Sequence, residues 1–171
     1  IPARSEAFPG RVRSGLPSGR ATESGPRPEV MVVGAFTFLA PVFVQVALTL
    51  GLLWWGAVLR AQSLRSGEVA TRDIALREPN WPRQTTQVLN AYQNQLELPV
   101  LFYAGMLLAL LTGHATLGIA ILAWLFAVSR IFHALVHVTT NDVRRRGAVF
   151  GIGLVLVTLL WILLAFELIA A

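Results

Sequence analysis

The chain has 171 residues, of which 55% are hydrophobic and only 13% are charged, and its mean hydropathy is +0.63. This composition excludes a water-soluble globule, because too few polar residues are available to cover its surface, and it indicates one compact integral membrane domain. The net charge of +5 does not point to a nucleic-acid partner, since the arginines are spread over a tail, two loops and one intramembrane position. Membrane lipid with anionic headgroups is the partner that this charge favours.

The chain contains no cysteine. Disulfide bonds, cysteine-ligated iron–sulfur clusters and a protein thiol nucleophile are therefore excluded. Any thiol chemistry needs a small molecule that brings the sulfur.

Residues 1–30 differ from the rest of the chain, because they are rich in Arg, Pro, Ser and Gly and have no apolar core segment. They are expected to form a disordered N-terminal tail, or to be an artefact upstream of the first methionine, Met31. A transit peptide is the alternative, which Glu6, Glu23 and Glu29 disfavour. The membrane domain is expected to cover 31–171.

Four apolar stretches each reach the about 20 residues that a helix needs to cross a hydrocarbon core of about 30 Å. Since lipid offers no hydrogen bonds to the backbone, all four are expected to be helical, which predicts an all-α integral membrane four-helix bundle. The predicted spans are Val32–Leu59, Gln87–Leu111, Leu117–Val138 and Gly147–Ala170.

The arginines predict the orientation of these spans, because the chain has no lysine. The loop between the first two spans and the loop after Val138 are rich in arginine, whereas the turn at 112–116 has no Asp, Glu, Lys or Arg. The positive-inside rule places both basic loops in the cytoplasm, with both termini outside. Arginine without lysine, together with many Ala and Gly residues, favours a GC-rich bacterial source and hence the plasma (inner) membrane.

The second span carries polar residues at Asn90, Asn94 and Glu97, whose spacing puts them on one side of a regular helix. An ionisable side chain at mid-bilayer costs roughly 2.5–3.5 kcal/mol, so such residues face a protein interior and mark a site. Pro99 removes one backbone hydrogen bond and predicts a kink next to this cluster. In the first span, Gln45 is expected to form a hydrogen bond across a helix interface or to reach the polar cluster.

The third span carries a second polar stripe, which predicts that the two stripes face each other and that Glu97 pairs with Arg130. Gly147 and Gly151 form a G-x-x-x-G pattern at the start of the fourth span, which predicts a close approach to a neighbouring helix of the bundle. The stripe and its continuation consist of Arg130, His133, His137, Asn141 and Arg144.

Three interpretations of the polar cluster remain open. It is a structural network between helices, a pocket that admits an anionic molecule from the cytoplasm, or a metal site made of His133, His137 and Glu97. The metal interpretation has the weakest support, because no H-E-x-x-H motif and no second carboxylate accompany the histidines.

The second span contains the run NQLELPVLFY at 94–103, preceded by Trp81-Pro82. The third span contains AWLF at 123–126, then Ser129-Arg130 and HALVH at 133–137, and RGAVFG follows at 146–151. From Phe38 to Trp161 this pattern resembles the membrane-associated proteins in eicosanoid and glutathione metabolism (MAPEG), in particular their bacterial branch.

The resemblance implies a homotrimer that holds glutathione, as a co-substrate, between adjacent protomers near the cytoplasmic face. It implies that Asn94, Glu97 and Arg130 bind the tripeptide and that Arg144 stabilises its thiolate, which attacks an electrophilic or peroxidised lipid. His133 and His137 line the pocket where relatives carry tyrosines, and Asn90 and Leu98 replace an arginine and a tyrosine. These replacements leave open a different anionic or quinone-like ligand.

The function predicted from this resemblance is that of a membrane glutathione transferase or peroxidase. The alternative is a non-enzymatic accessory or scaffold subunit of a larger membrane complex.

Overall fold

The computed structural model describes residues 34–75 and 80–170, and this part of the chain is entirely helical, as predicted. The tail predicted at 1–30 lies outside the described residues. Two short 3₁₀ turns cover Thr71–Ile74 and Asn94–Leu96. The helices are α1 (Ala35–Arg65), α2 (Arg83–Gln93), α3 (Leu98–Leu111), α4 (Leu117–Val138) and α5 (Val143–Ala170).

Four helical segments are long and apolar enough to cross a membrane, with α2 and α3 together forming the second, so the chain is a multi-pass membrane protein. The third span matches its predicted bounds, but the first continues past Leu59 to Arg65. The second and fourth begin early, at Arg83 and Val143. At the first and fourth spans the difference arises because an arginine ends an apolar stretch without ending a helix, since it is a good helix former and its charge can extend to the membrane surface.

The second span is broken at its centre. α2 ends at Gln93, a single 3₁₀ turn follows, and Glu97 leaves the helical region with φ −100° and ψ −96° before α3 begins. Pro99 lies at the second position of α3 and has no N–H, so it cannot donate to the carbonyl of Gln95. The kink predicted near Pro99 is confirmed, and it takes the form of an interruption of the helix.

α4 lies at the centre of the bundle and contacts α1, α2, α3 and α5, most extensively α5. The core between α3, α4 and α5 is aromatic and aliphatic, and the rings of Phe102 and Phe126 stack with centroids 4.7 Å apart. At the end of the bundle opposite the arginine-rich loops, Thr116 caps α4 and donates a hydrogen bond of 2.9 Å to Glu167 on α5.

Neighbouring helices approach each other closely at glycines other than the predicted pair, Gly147 and Gly151. A Cβ added at Gly147 or Gly151 would meet no atom within 4 Å, so the approach predicted from the G-x-x-x-G pattern is wrong within the protomer. A Cβ at Gly105 would lie 2.8 Å from Leu160, and one at Gly153 would lie 3.4 Å from the Ser129 hydroxyl. α5 therefore packs on α4 with Gly153 at the contact. The face of α5 that carries Gly147 and Gly151 has no neighbouring atom at this distance.

We expect Gly105→Leu to destabilise the protein by about 1–3 kcal/mol, because the new side chain would overpack the contact between α3 and α5. Gly51→Leu is the matched control, since nothing lies within 4 Å of a Cβ at that position. Thermal unfolding in detergent measures both variants. An equal loss in the two would contradict the close approach at Gly105.

Candidate functional site

A cavity of about 300 Å³ opens at the arginine-rich end of the bundle, between the break in the second span, α4 and the start of α5. Three elements thus contribute polar side chains to one space. Its lining residues are Asn94, Glu97, His133, Val143, Arg146, Gly147 and Phe150.

Arg130 lies behind this cavity and is completely buried. Its Nη2 donates a hydrogen bond of 3.0 Å to the backbone carbonyl of Asn94, at the point where α2 has given way to the 3₁₀ turn. Its guanidinium also lies 5.9 Å from the ring centroid of Phe150. The Nε and Nη1 atoms are buried and find no hydrogen-bond partner among the described residues. A buried cation with free donors is suited to hold an anion.

The direct ion pair predicted between Glu97 and Arg130 does not form. Within the described ranges, salt bridges join only Arg72 to Asp73 and Arg145 to Asp142. The prediction assumed a regular helix through the second span. Because the helix is broken, Glu97 lies directly before α3 and its side chain is exposed at the cavity. Glu97 and Arg130 therefore flank one space without touching.

Asn94 connects the break to the histidines of α4. Its Nδ2 donates to the carbonyl of Asn90 at 2.9 Å and lies 3.3 Å from Nε2 of His137. A carbonyl only accepts, so the amide nitrogen of Asn94 is assigned to the side of Asn90, and this nitrogen can only donate to His137 Nε2. This contact assigns His137 as the tautomer that carries its proton on Nδ1, an atom that is buried and has no hydrogen-bond partner among the described residues. The ring of His133 lies nearly perpendicular to it, with centroids 5.6 Å apart.

Five of the six predicted site residues meet at this cavity or directly behind it, and Arg144 does not. Arg144 is exposed at the start of α5, where its backbone N–H donates to Asp142 at 2.8 Å. Arg146 lines the cavity instead, and its Nη1 donates to the Asn141 side chain at 2.8 Å. The five residues are Asn94, Glu97, Arg130, His133 and His137.

Sequence reasoning missed Arg146, although a signal for it exists. α5 begins at Val143, so Val143, Arg146 and Phe150 share one face of the helix, and that face lines the cavity. The prediction started the fourth span at Gly147 and selected Arg144 as a continuation of the third span, so it did not consider which arginine shares a helix face with Phe150.

The metal interpretation finds no geometric support. No group of three or more His, Cys, Asp or Glu side chains with the arrangement of a metal site occurs in residues 34–75 and 80–170. His133, His137 and Glu97 contribute to one polar region without forming a ligand set.

A larger cavity of about 560 Å³ lies between α1, the turn at Thr71–Ile74 and α2. Arg60 and Trp81 line it, with the guanidinium of Arg60 5.3 Å from the ring centroid of Trp81, and so does Asn90. None of the six predicted site residues lines this cavity. We assign the candidate site to the smaller one, because Arg146, His133 and Glu97 line it and the buried Arg130 and His137 lie next to these residues.

The sequence of the chain is also similar to that of a known protein family. A family model described as the MAPEG family matches residues 38–166, which include all four membrane segments in large part and every residue of the smaller cavity. No curated protein and no solved structure matches the chain.

The tautomer assigned to His137 is open to a direct measurement. We expect ¹⁵N spectra of the histidine-labelled protein to show a protonated Nδ1 and an unprotonated Nε2 for His137, because Nε2 accepts from Asn94. Asn94→Leu should abolish this preference and leave the signals of the partly exposed His114 unchanged. A proton on Nε2 in the unmodified protein would contradict the network.

Proposed function

The chain belongs to the MAPEG family, and from this premise we propose that it is a membrane glutathione transferase or peroxidase acting on lipophilic electrophiles. The observation that carries the proposal is the charge pattern of the cavity. Glutathione has two carboxylates and one ammonium group. The guanidinium of Arg146 and the carboxylate of Glu97 line the cavity, and the buried guanidinium of Arg130 lies behind it. Paired charges of this kind give a bound tripeptide both affinity and a defined orientation.

The second part of the proposal is a homotrimer in which a neighbouring protomer closes the cavity. Two features support it: Glu97 is exposed within a membrane segment, where an unpaired carboxylate is costly, and the face of Gly147 and Gly151 has no neighbour in the protomer. We place the trimer in a bacterial plasma membrane, with the arginine-rich end in the cytoplasm and both termini outside.

Arg144 is proposed to stabilise the glutathione thiolate. Since its side chain is exposed and does not line its own cavity, it would act on glutathione bound in the cavity of a neighbouring protomer. A cation beside a thiol lowers the thiol pKa and raises the fraction of the nucleophilic form. Arg146 then serves the protomer's own cavity as an anchor for a carboxylate.

The chemistry follows from the thiolate. In conjugation, the sulfur forms a bond to an electrophilic carbon, and the leaving group departs with the bonding electron pair. With a lipid hydroperoxide, the thiolate attacks the terminal oxygen and the lipid alcohol leaves after taking up a proton. A second glutathione then reduces the sulfenic acid to a disulfide and water.

Calorimetric titration of the detergent-solubilised protein with glutathione tests the proposal. We expect Glu97→Gln to weaken binding by about ten- to a hundredfold, as the loss of a charge-assisted hydrogen bond predicts. We expect Arg144→Ala to retain binding but to lower the thiolate ultraviolet absorbance and the turnover. Arg145→Ala is the matched control, because Arg145 is the next residue, is also exposed and pairs with Asp142. Equal and negligible heat for all proteins would contradict the proposal and favour the accessory or scaffold role.

A further inference from the structure

Two glutamines form a buried pair between the first and second spans. Gln45 lies on α1 and Gln95 in the 3₁₀ turn, and their exposed fractions are 0% and 1%. The Nε2 of Gln45 donates a hydrogen bond of 2.8 Å to Oε1 of Gln95. Neither residue lines the candidate site.

The pair is not an efficient way to stabilise the bundle. The Oε1 of Gln45 is buried and accepts no hydrogen bond from the described residues, and a buried amide oxygen without a partner is destabilising because it has lost its hydrogen bonds to water. Apolar side chains of similar volume at both positions would avoid this cost. A polar pair that a more stable apolar pair could replace indicates a role other than stability.

The position of the pair suggests what that role is. Gln95 donates from Nε2 to the carbonyl of Ala91 at 3.3 Å, and Asn94 donates from Nδ2 to the carbonyl of Asn90 at 2.9 Å. Two successive amide side chains thus bond back to the last turn of α2. The carbonyl of Gln95 cannot accept a hydrogen bond from Pro99, which has no N–H. One backbone hydrogen bond is therefore missing at the break, and side-chain hydrogen bonds help to orient the chain there.

Gln95 and Asn94 are adjacent, and they contact opposite neighbours. Gln95 bonds to α1, whereas Asn94 bonds to Arg130 and His137 on α4. Because Asn94 and Gln95 are neighbours in a single 3₁₀ turn, the orientation of Gln95 constrains the orientation of Asn94. A fixed contact between Gln45 and Gln95 therefore also fixes the direction of the Asn94 carbonyl and of Glu97 after it.

We propose that Gln45 is a positioning residue: through Gln95 it holds the break of the second span in the orientation that presents Asn94 and Glu97 to the cavity. The effect on glutathione rests on the proposed function, whereas the effect on the geometry of Asn94 and His137 does not.

The test compares Gln45→Leu, Gln95→Leu and the double variant. Each single variant leaves one amide without its partner and is expected to lose stability. The double variant removes both amides and is expected to recover the unfolding temperature of the unmodified protein. Despite this recovery, we expect it to lose the single His137 tautomer in ¹⁵N spectra and to raise the KM for glutathione about tenfold, with kcat nearly unchanged.

Leu52→Ala on α1 is the matched control for stability. Leu52 is buried against α2 and α4, so its truncation is expected to lower the unfolding temperature without removing a hydrogen bond of the break. This variant should keep the His137 tautomer and the KM. If the unmodified protein binds no glutathione, the proposed function is wrong. The His137 signals of the variants would still test the role of Gln45. Unchanged His137 signals in the folded Gln45 variants would overturn the inference.

Discussion

The hydrogen bond from buried Arg130 to the backbone carbonyl of Asn94 is the interaction on which the site depends. A guanidinium inside an apolar bundle is tolerated only where oxygens satisfy it, because unpaired charge in a medium of low polarity is costly. The break in the second span supplies one such oxygen and leaves two nitrogens of Arg130 without a partner among the described residues. At the same break, the side chain of Asn94 contacts His137 and Glu97 lines the cavity.

The protomer presents this polar region on one side only. Arg146 and Phe150 from α5 complete one wall, while Glu97 is exposed and the glycine face at Gly147 is open. A membrane protein with a half-open charged cavity and apolar outer helices is suited to join a polar co-substrate from the aqueous side to an apolar substrate from the bilayer. Glutathione is the polar co-substrate that we propose, on the basis of the family match and of the charges of Arg146 and Glu97.

Much of the fold was predictable, because the third span needs only an apolar run between two turns, and its predicted bounds are confirmed. The convergence of the polar stripes was predictable from helical spacing within α4. Spacing failed at the break, where it predicted a contact between Glu97 and Arg130 that the described residues do not form. A proline indicates that a helix is disturbed but not in which direction the chain continues, since contacts such as that of Gln95 with α1 determine it.

At the break, the backbone carbonyl of Asn94 points at the buried guanidinium of Arg130. Solid-state NMR in lipid bilayers measures this contact directly, through the dipolar coupling between the ¹⁵N-labelled Arg130 side chain and the ¹³C-labelled carbonyl of Asn94. A hydrogen bond of 3.0 Å between Nη2 and the carbonyl oxygen predicts a nitrogen–carbon separation of about 4 Å and hence a readily measured coupling. The absence of a measurable coupling in a folded sample would contradict the account.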